Sequence, residues 1–183
     1  MMHGWIFIDK PKNITSFKVV ERIKKILNIK KIGHAGTLDP FATGILAIAL
    51  GEATKSIRYF DQNKVYKFDV VFGELKDTDD ITGKTIKKSN IVPALNEIDI
   101  CIRNFVGKHN QIPPQYSAVK VNGKRAYKLA RDNKKFELKA KEVFIESIRC
   151  LGAKSMNEYS FMMECSTGTY VRSVARDLGK MLG

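Results

Sequence analysis

Asp39 and His34 are the side chains here whose types and spacing most suggest chemistry. They share one segment, Gly33-His34-Ala35-Gly36-Thr37-Leu38-Asp39-Pro40-Phe41-Ala42-Thr43-Gly44. A carboxylate presented from a Gly-rich loop is a candidate for catalysis. Pro40 pushes Asp39 away from helical dihedrals, so the carboxylate sits on extended backbone. Gly36 and Gly44 permit positive φ or close approach of a ligand. Leu38 and Phe41 are the apolar anchors. Taken alone, an Asp before Pro is a turn former, and a lone His is a satisfied surface or core residue.

The elements that must position this loop are readable on both sides. Ile45–Leu50 is a run of six apolar residues ending at Gly51, which reads as a buried strand. Upstream, Val19, Val20, Ile23, Ile26 and Leu27 recur at helical spacing, with Lys18, Arg22, Lys24 and Lys25 largely opposite. Trp5–Ile8 reads as a strand, and Asp9–Ser16 as the loop into that helix, with Thr15 or Ser16 as its cap.

Downstream, Glu52–Phe60 reads as a short helix. In Lys64–Gly73, Tyr66, Phe68, Val70 and Phe72 alternate with Lys67 and Asp69, a half-buried strand. Tyr66 by itself reads as a core aromatic. The aspartates of Gly73–Gly83 lack EF-hand spacing and its closing Glu, so Asx turns between strands are expected rather than a Ca²⁺ loop. A helix is expected from near Pro93 to Gly107, carrying Leu95, Ile98, Ile102, Phe105 and Val106.

Gln111–Arg131 carries Lys120, Lys124, Arg125, Lys128 and Arg131 interleaved with Tyr116 and Tyr127, and Asn122-Gly123 marks a tight turn. Clustered cations suit phosphates and interleaved aromatics suit unstacked bases; from charge alone, a solvated basic face fits as well. Val143–Leu151 and Tyr159–Cys165 read as strands. A last helix has Val171, Val174, Ala175, Leu178 and Leu182 as its stripe. Arg172 near that helix start does not complement the macrodipole, which favours a specific partner such as a carboxylate.

The 183 residues are 44% hydrophobic, enough for one sizeable core. The formal net charge of +13 favours a polyanionic partner, with an anionic membrane surface as the competing reading. No run approaches the roughly 18 apolar residues of a spanning helix. The stretch from Met1 to Trp5 lacks the pattern of a signal peptide. Cys101, Cys150 and Cys165 have no C-x-x-C spacing and read as reduced core thiols of a cytoplasmic protein. The three histidines add no metal-ligand pattern.

Gly33–Leu46 closely resembles the signature G-H-x-G-x-L-D-P-x-A-x-G-x-L of the TruB-type tRNA pseudouridine synthases, at every fixed position. The resemblance extends further. Lys10–Ser16 is similar to K-P-x-G-x-T-S, with Asn13 in place of the glycine; Asn tolerates αL better than most residues. Gly73–Gly83 is similar to G-x-x-T-D-T-x-D-x-x-G, with Lys76 in place of the first Thr. Pro113–Arg131 resembles the RNA-gripping insertion P-P-x-Y-S-A-x-K-x-x-G-x-R-x-Y-x-x-A-R. Cys165–Gly179 resembles C-S-x-G-T-Y-x-R-x-x-x-x-D-L-G. The matches run from Lys10 to Gly179. Family members continue with an H-L-x-x-L-R-R motif and a small carboxyl-terminal RNA-binding domain, so residues 1–183 are expected to be a catalytic domain incomplete at its carboxyl end.

The resemblance implies an α+β fold with a mostly antiparallel sheet flanked by helices. It implies isomerisation of a uridine in the TΨC loop of tRNA, by base flipping. Asp39 would be the nucleophile. Arg172 would hold it charged and oriented, offsetting the rise in pKa that burial beside a base brings. Tyr66 and Tyr170 would lie against the flipped nucleotide, His34 would support the flipped state, and Lys10, Lys120, Lys124, Arg125, Lys128 and Arg131 would bind RNA. Because no group enters or leaves and no oxidation state changes, no cofactor or metal is expected. A monomer is expected. Two alternatives compete: a non-catalytic tRNA-binding or RNA-remodelling module, and a transferase using Gly33–Gly44 as a phosphate loop, which lacks the Lys-Ser/Thr of a P-loop.

Overall fold

The computed structural model describes residues 2–60 and 63–183. Met1, the first residue of the stretch read above for a leader, lies outside the described residues. Contacts group the chain into two compact units, 1–62 and 63–183. No described helix is long and apolar enough to cross a membrane.

In the first unit, β1 (Gly4–Lys10) and β2 (Ile32–His34) pair antiparallel with the two edges of β3 (Gly44–Leu50), in the order β1-β3-β2. Helix α1 (Ser16–Ile26) covers one face. Ile14, Val19 and Val20 pack with Leu46, Ile48 and Leu50, and Ile6, Ile8, Ile23 and Leu27 close the cluster. Two expected core residues point outward: Ile26 is 79% exposed and Ile45 is 74% exposed. Both lie at element ends, where the apolar run extends past the packed face. Thr15 caps α1, its Oγ1 accepting from Lys18 N at 3.1 Å. The short helix expected over Glu52–Phe60 is present as a 3₁₀ helix, Gly51–Tyr59. Thr54 Oγ1 donates to the Gly51 carbonyl at 2.8 Å and Ser56 Oγ to that of Ala53 at 2.7 Å, side-chain bonds that compete with the α ladder.

In the second unit, an antiparallel sheet runs β4 (Lys64–Val71), β11 (Glu158–Cys165), β10 (Lys141–Ala153), β7 (Gly107–Gln111). The alternation expected for β4 holds: Val70 and Phe72 are buried, Tyr66 and Phe68 are half-buried, and Val65, Lys67, Asp69 and Val71 face out. Helices α2 (Leu95–Arg103) and α4 (Val171–Leu182) supply Ile98, Cys101, Ile102, Val174 and Leu178 to the core with Ile145, Phe161 and Met163. Two hairpins complete the unit: β5 (Glu74–Lys76) with β6 (Thr85–Lys88), and β8 (Lys120–Val121) with β9 (Lys124–Arg125) leading into α3 (Ala126–Arg131). At the β8–β9 turn, Asn122 and Gly123 have φ of 48° and 80°, the positive values a two-residue hairpin turn requires. Cys101 and Cys165 are buried, Cys150 is half-buried, and all three are free thiols. Among the described residues every sheet is antiparallel, and helices pack on the three-stranded and four-stranded ones, an α+β architecture.

Candidate active site

Asp39 sits in the loop between β2 and β3, and the segment Lys10–Ser16, from the end of β1 to the start of α1, holds its neighbours on both sides. Ser16, only 2% exposed, donates through Oγ to the Leu38 carbonyl and accepts from Leu38 N, each at 3.0 Å. The Pro40 carbonyl accepts from Asn13 N at 2.8 Å and from Lys10 Nζ at 3.2 Å. Asn13 reaches that carbonyl because its φ is 64°, the left-handed value foreseen for a residue standing in place of glycine. Asp39 O itself accepts from Ala42 N at 3.1 Å, a turn that closes the loop. Gly36 and Gly44 have φ of 114° and 128°, values that side-chain-bearing residues rarely adopt.

Lys10 is buried inside this arrangement, 0% exposed, rather than on its surface. Its other two hydrogen bonds go to the carbonyls of Pro11 and Ile14, both at 2.9 Å. Three donors thus meet three acceptors, the condition for tolerating a buried ammonium. Burial lowers the Lys10 pKa, and the charge of Asp39 acts in the opposite direction. His34 ends β2 and pairs through Nδ1 with the Gly36 carbonyl.

Tyr66, Tyr170 and Arg172 lie in the second unit. Tyr66 is on β4 opposite Met163 of β11, half-buried against the core. Tyr170 is the N-cap residue of α4. Gln111, 1% exposed at the end of β7, grips its backbone from both sides: Tyr170 N donates to Gln111 Oε1 at 2.7 Å, and Gln111 Nε2 donates to Tyr170 O at 3.2 Å. Ser173 Oγ adds a bond to Ile112 O at 2.8 Å.

Arg172 has carboxylate and carbonyl partners within its own unit. Its guanidinium reaches Asp80 Oδ2 at 3.5 Å, Thr78 O at 3.1 Å and Tyr116 O at 3.3 Å. One turn on, Arg176 pairs with Asp79 at 3.0 Å and Asp177 at 2.8 Å, and donates to Ile112 O at 2.8 Å. Burial raises the Asp79 pKa, against the pull of Arg176. The aspartate loop also makes the expected Asx turn, Thr82 N donating to Asp80 Oδ1 at 2.9 Å. Its further role, holding two arginines of α4, was not foreseen. Nor were Ser16 beyond its capping role, or Gln111. The signal for the aspartate loop and Ser16 lay in the matched motifs, whereas Gln111 lies just before the motif that begins at Pro113.

Of the basic residues, Lys120, Lys124 and Lys128 are exposed and form no ion pair among the described residues. Arg125 donates to the Ala118 carbonyl. Arg131 lies over the Tyr127 ring, 5.7 Å from its centroid. All five cations of this segment are exposed, and these contacts of the two arginines stay within the segment.

Comparison with known proteins follows the same residues. A family model described as "TruB family pseudouridylate synthase (N terminal domain)" matches residues 24–171. The chain is 53% identical over its whole length to a tRNA pseudouridine synthase B of Ehrlichia ruminantium (strain Gardel), covering 62% of that protein. It is 46% identical to the one from Brucella ovis, over 98% of this chain and 56% of that protein. The chain thus spans roughly six-tenths of the length of these relatives. Among solved structures it is similar to a chain in a crystal structure of a Cbf5–Nop10–Gar1 complex, with a TM-score of 0.69 and 29% identity, over 98% of this chain and 44% of that one. A chain in a structure of an H/ACA RNP bound to a substrate RNA containing 2′-deoxyuridine gives a TM-score of 0.65 and 25% identity, over 98% and 43%. By its signature, its fold and the match of the family model over most of its length, the chain belongs to the TruB family of pseudouridylate synthases.

Proposed function

We propose that this chain carries the catalytic residues of a tRNA pseudouridine synthase, with the uridine at position 55 of the TΨC loop as its target. The reaction breaks the bond between ribose and the uracil nitrogen, rotates the base and rejoins it through carbon, so atoms balance without a co-reactant. Asp39 is the proposed nucleophile and Arg172 the proposed cation that keeps it ionised. Tyr66 and Tyr170 are proposed to lie against the uracil, His34 to support the flipped state, and Lys120, Lys124, Arg125, Lys128 and Arg131 to grip the RNA. A base in a stem-loop must leave its stack to be reached, at a cost of a few kcal/mol.

The observation that carries this reading is the fixing of Asp39. Its neighbours Leu38 and Pro40 are both pinned by the segment Lys10–Ser16, so its backbone is set before any substrate arrives. Preorganisation of this kind is what a carboxylate needs to meet a reacting atom. The names of the relatives point the same way. The test is incubation of the chain with a tRNA transcript tritiated at uracil C5. Release of tritium is expected as carbon takes the place of that hydrogen. Tight binding without release would instead favour the RNA-binding module.

A further inference from the structure

Two groups of exposed cations form no ion pair among the described residues, one on α1 and one in the Lys120–Arg131 segment. Many surface lysines are neutralised: Lys31 and Lys55 by Glu52, Lys76 and Lys88 by Glu74, Lys108 by Glu142, Lys154 by Asp69 and Glu158. The lysines of the Lys120–Arg131 segment are not, and neither are those of α1. Lys18, Arg22, Lys24 and Lys25 are all exposed and none forms an ion pair among the described residues, although Glu21 stands between them. Lys18, Arg22 and Lys25 follow an i, i+4, i+7 spacing, one stripe along the helix, opposite the buried face of Ser16, Val19 and Val20.

Helix stability does not account for the whole stripe. Lys24 and Lys25 lie in the last turn, where the macrodipole favours cations, but Lys18 lies in the first turn, which contains no acidic residue. A cation there is in the wrong field for the helix and the right one for an external anion. The helix also starts at the Asp39 loop, because its first residue, Ser16, is the one bonded to Leu38. From that point its 11 residues extend about 16 Å.

We infer that the Lys18–Arg22–Lys25 stripe of α1 is a second RNA-backbone surface, taking phosphates of the substrate RNA beyond the nucleotide held at Asp39. This rests on the proposed function, since RNA is the polyanion that the Asp39 loop would place at the foot of the helix. An acidic protein surface is the competing partner.

The test is the salt dependence of binding to an unmodified tRNA transcript. Four proteins are compared: wild type, Lys18→Gln/Arg22→Gln/Lys25→Gln, Lys124→Ala/Lys128→Ala, and a charge-matched control, Lys55→Gln/Lys108→Gln/Lys154→Gln. Glutamine keeps helix propensity near that of lysine and arginine, and circular dichroism confirms that α1 is retained. Each phosphate contact contributes about 0.7–0.9 to the slope of log K against log salt. The α1 triple is expected to lower the slope by about 2 and to weaken binding more than tenfold at low salt, with the control close to wild type. An unchanged slope in the α1 triple, or an equal fall in the control, overturns the inference; the first outcome is also what a protein partner would give. Loss of isomerisation in the wild type with binding intact would overturn the proposed function and leave the slope comparison to decide the α1 surface.

Discussion

The two units hold their candidate residues in opposite ways. Around Asp39 the structure pins backbone: Ser16 takes both polar groups of Leu38, and Asn13 N and Lys10 share the carbonyl of Pro40. Around Arg172 it pins the side chain itself, through Asp80 and two carbonyls, with Arg176 and Asp79 repeating the arrangement a turn later. A carboxylate meant to react gains from a backbone fixed on both sides of it. A guanidinium meant to supply charge gains from a fixed side chain, because its planar fork is useful only when aimed. The two strategies also fail differently. Losing one hydrogen bond of the first kind leaves a neutral backbone group unsatisfied, whereas losing one carboxylate of the second removes a counter-charge from a mostly buried ion.

That difference sets the largest expected effect. Asp80→Ala takes a carboxylate from Arg172, whose side chain is 11% exposed, and an acceptor from Thr78 and Thr82. Denaturant unfolding is expected to show a loss of about 3–5 kcal/mol, the range for breaking one side of a buried pair. Asp80→Asn, which keeps an acceptor but not the charge, should fall between Ala and wild type. Were Asp80→Ala no worse than a lost backbone clamp, the distinction between the two regions would collapse.

Ser16→Ala is the matching experiment on the other side. Removing the hydroxyl leaves Leu38 N–H and C=O without their partner, at about 1–3 kcal/mol. If the clamp aims Asp39, single-turnover isomerisation at saturating RNA should drop while RNA affinity stays the same, and Ser16→Thr should restore part of the rate. A parallel loss of affinity would make Ser16 a fold residue only.

The smallest effect belongs to a region that uses charge at the surface. Lys76, 2.5 Å away, and the Thr85 hydroxyl hold Glu74 well below the usual carboxylate range, to about 2. A lowered folded pKa contributes stability that is fully present above the unfolded value near 4.5 and is lost as pH falls towards 2. Exposure screens this pair, so the readout is titration rather than unfolding. The Glu74 carboxyl carbon should titrate near 2 by NMR in wild type and move up in Lys76→Gln. A midpoint of 4.5 in both proteins would remove the pair from consideration.

What the sequence made legible was local. The alternation of β4, the Asn122-Gly123 turn, the left-handed Asn13 and the Thr15 cap each follow from a few neighbouring residues. What it hid was long-range. Ser16 and Leu38 are 22 positions apart, and Arg172 and Thr78 are 94 apart. No periodicity links such pairs. Ser16 read as a possible cap because its type suits one, yet the cap is Thr15 and the Ser16 hydroxyl turns inward. Lys10 was expected to bind RNA only through the family resemblance, and the structure buries its side chain among carbonyls. The residue spacing of Glu52–Phe60 implied a short helix without its type, since it fits either form; the Thr54 and Ser56 back-bonds favour the 3₁₀ geometry.

The central claim is that Asp39 is the reacting group of a uridine-isomerising site and not a turn former in a well-packed loop. Single-turnover assay of wild type and Asp39→Asn on one tRNA transcript, with binding measured in parallel, tests it most directly. The account predicts that both proteins fold and bind the transcript alike, that wild type converts uridine to pseudouridine, and that Asp39→Asn converts none. Appreciable conversion by Asp39→Asn, or binding without conversion by wild type, would contradict it.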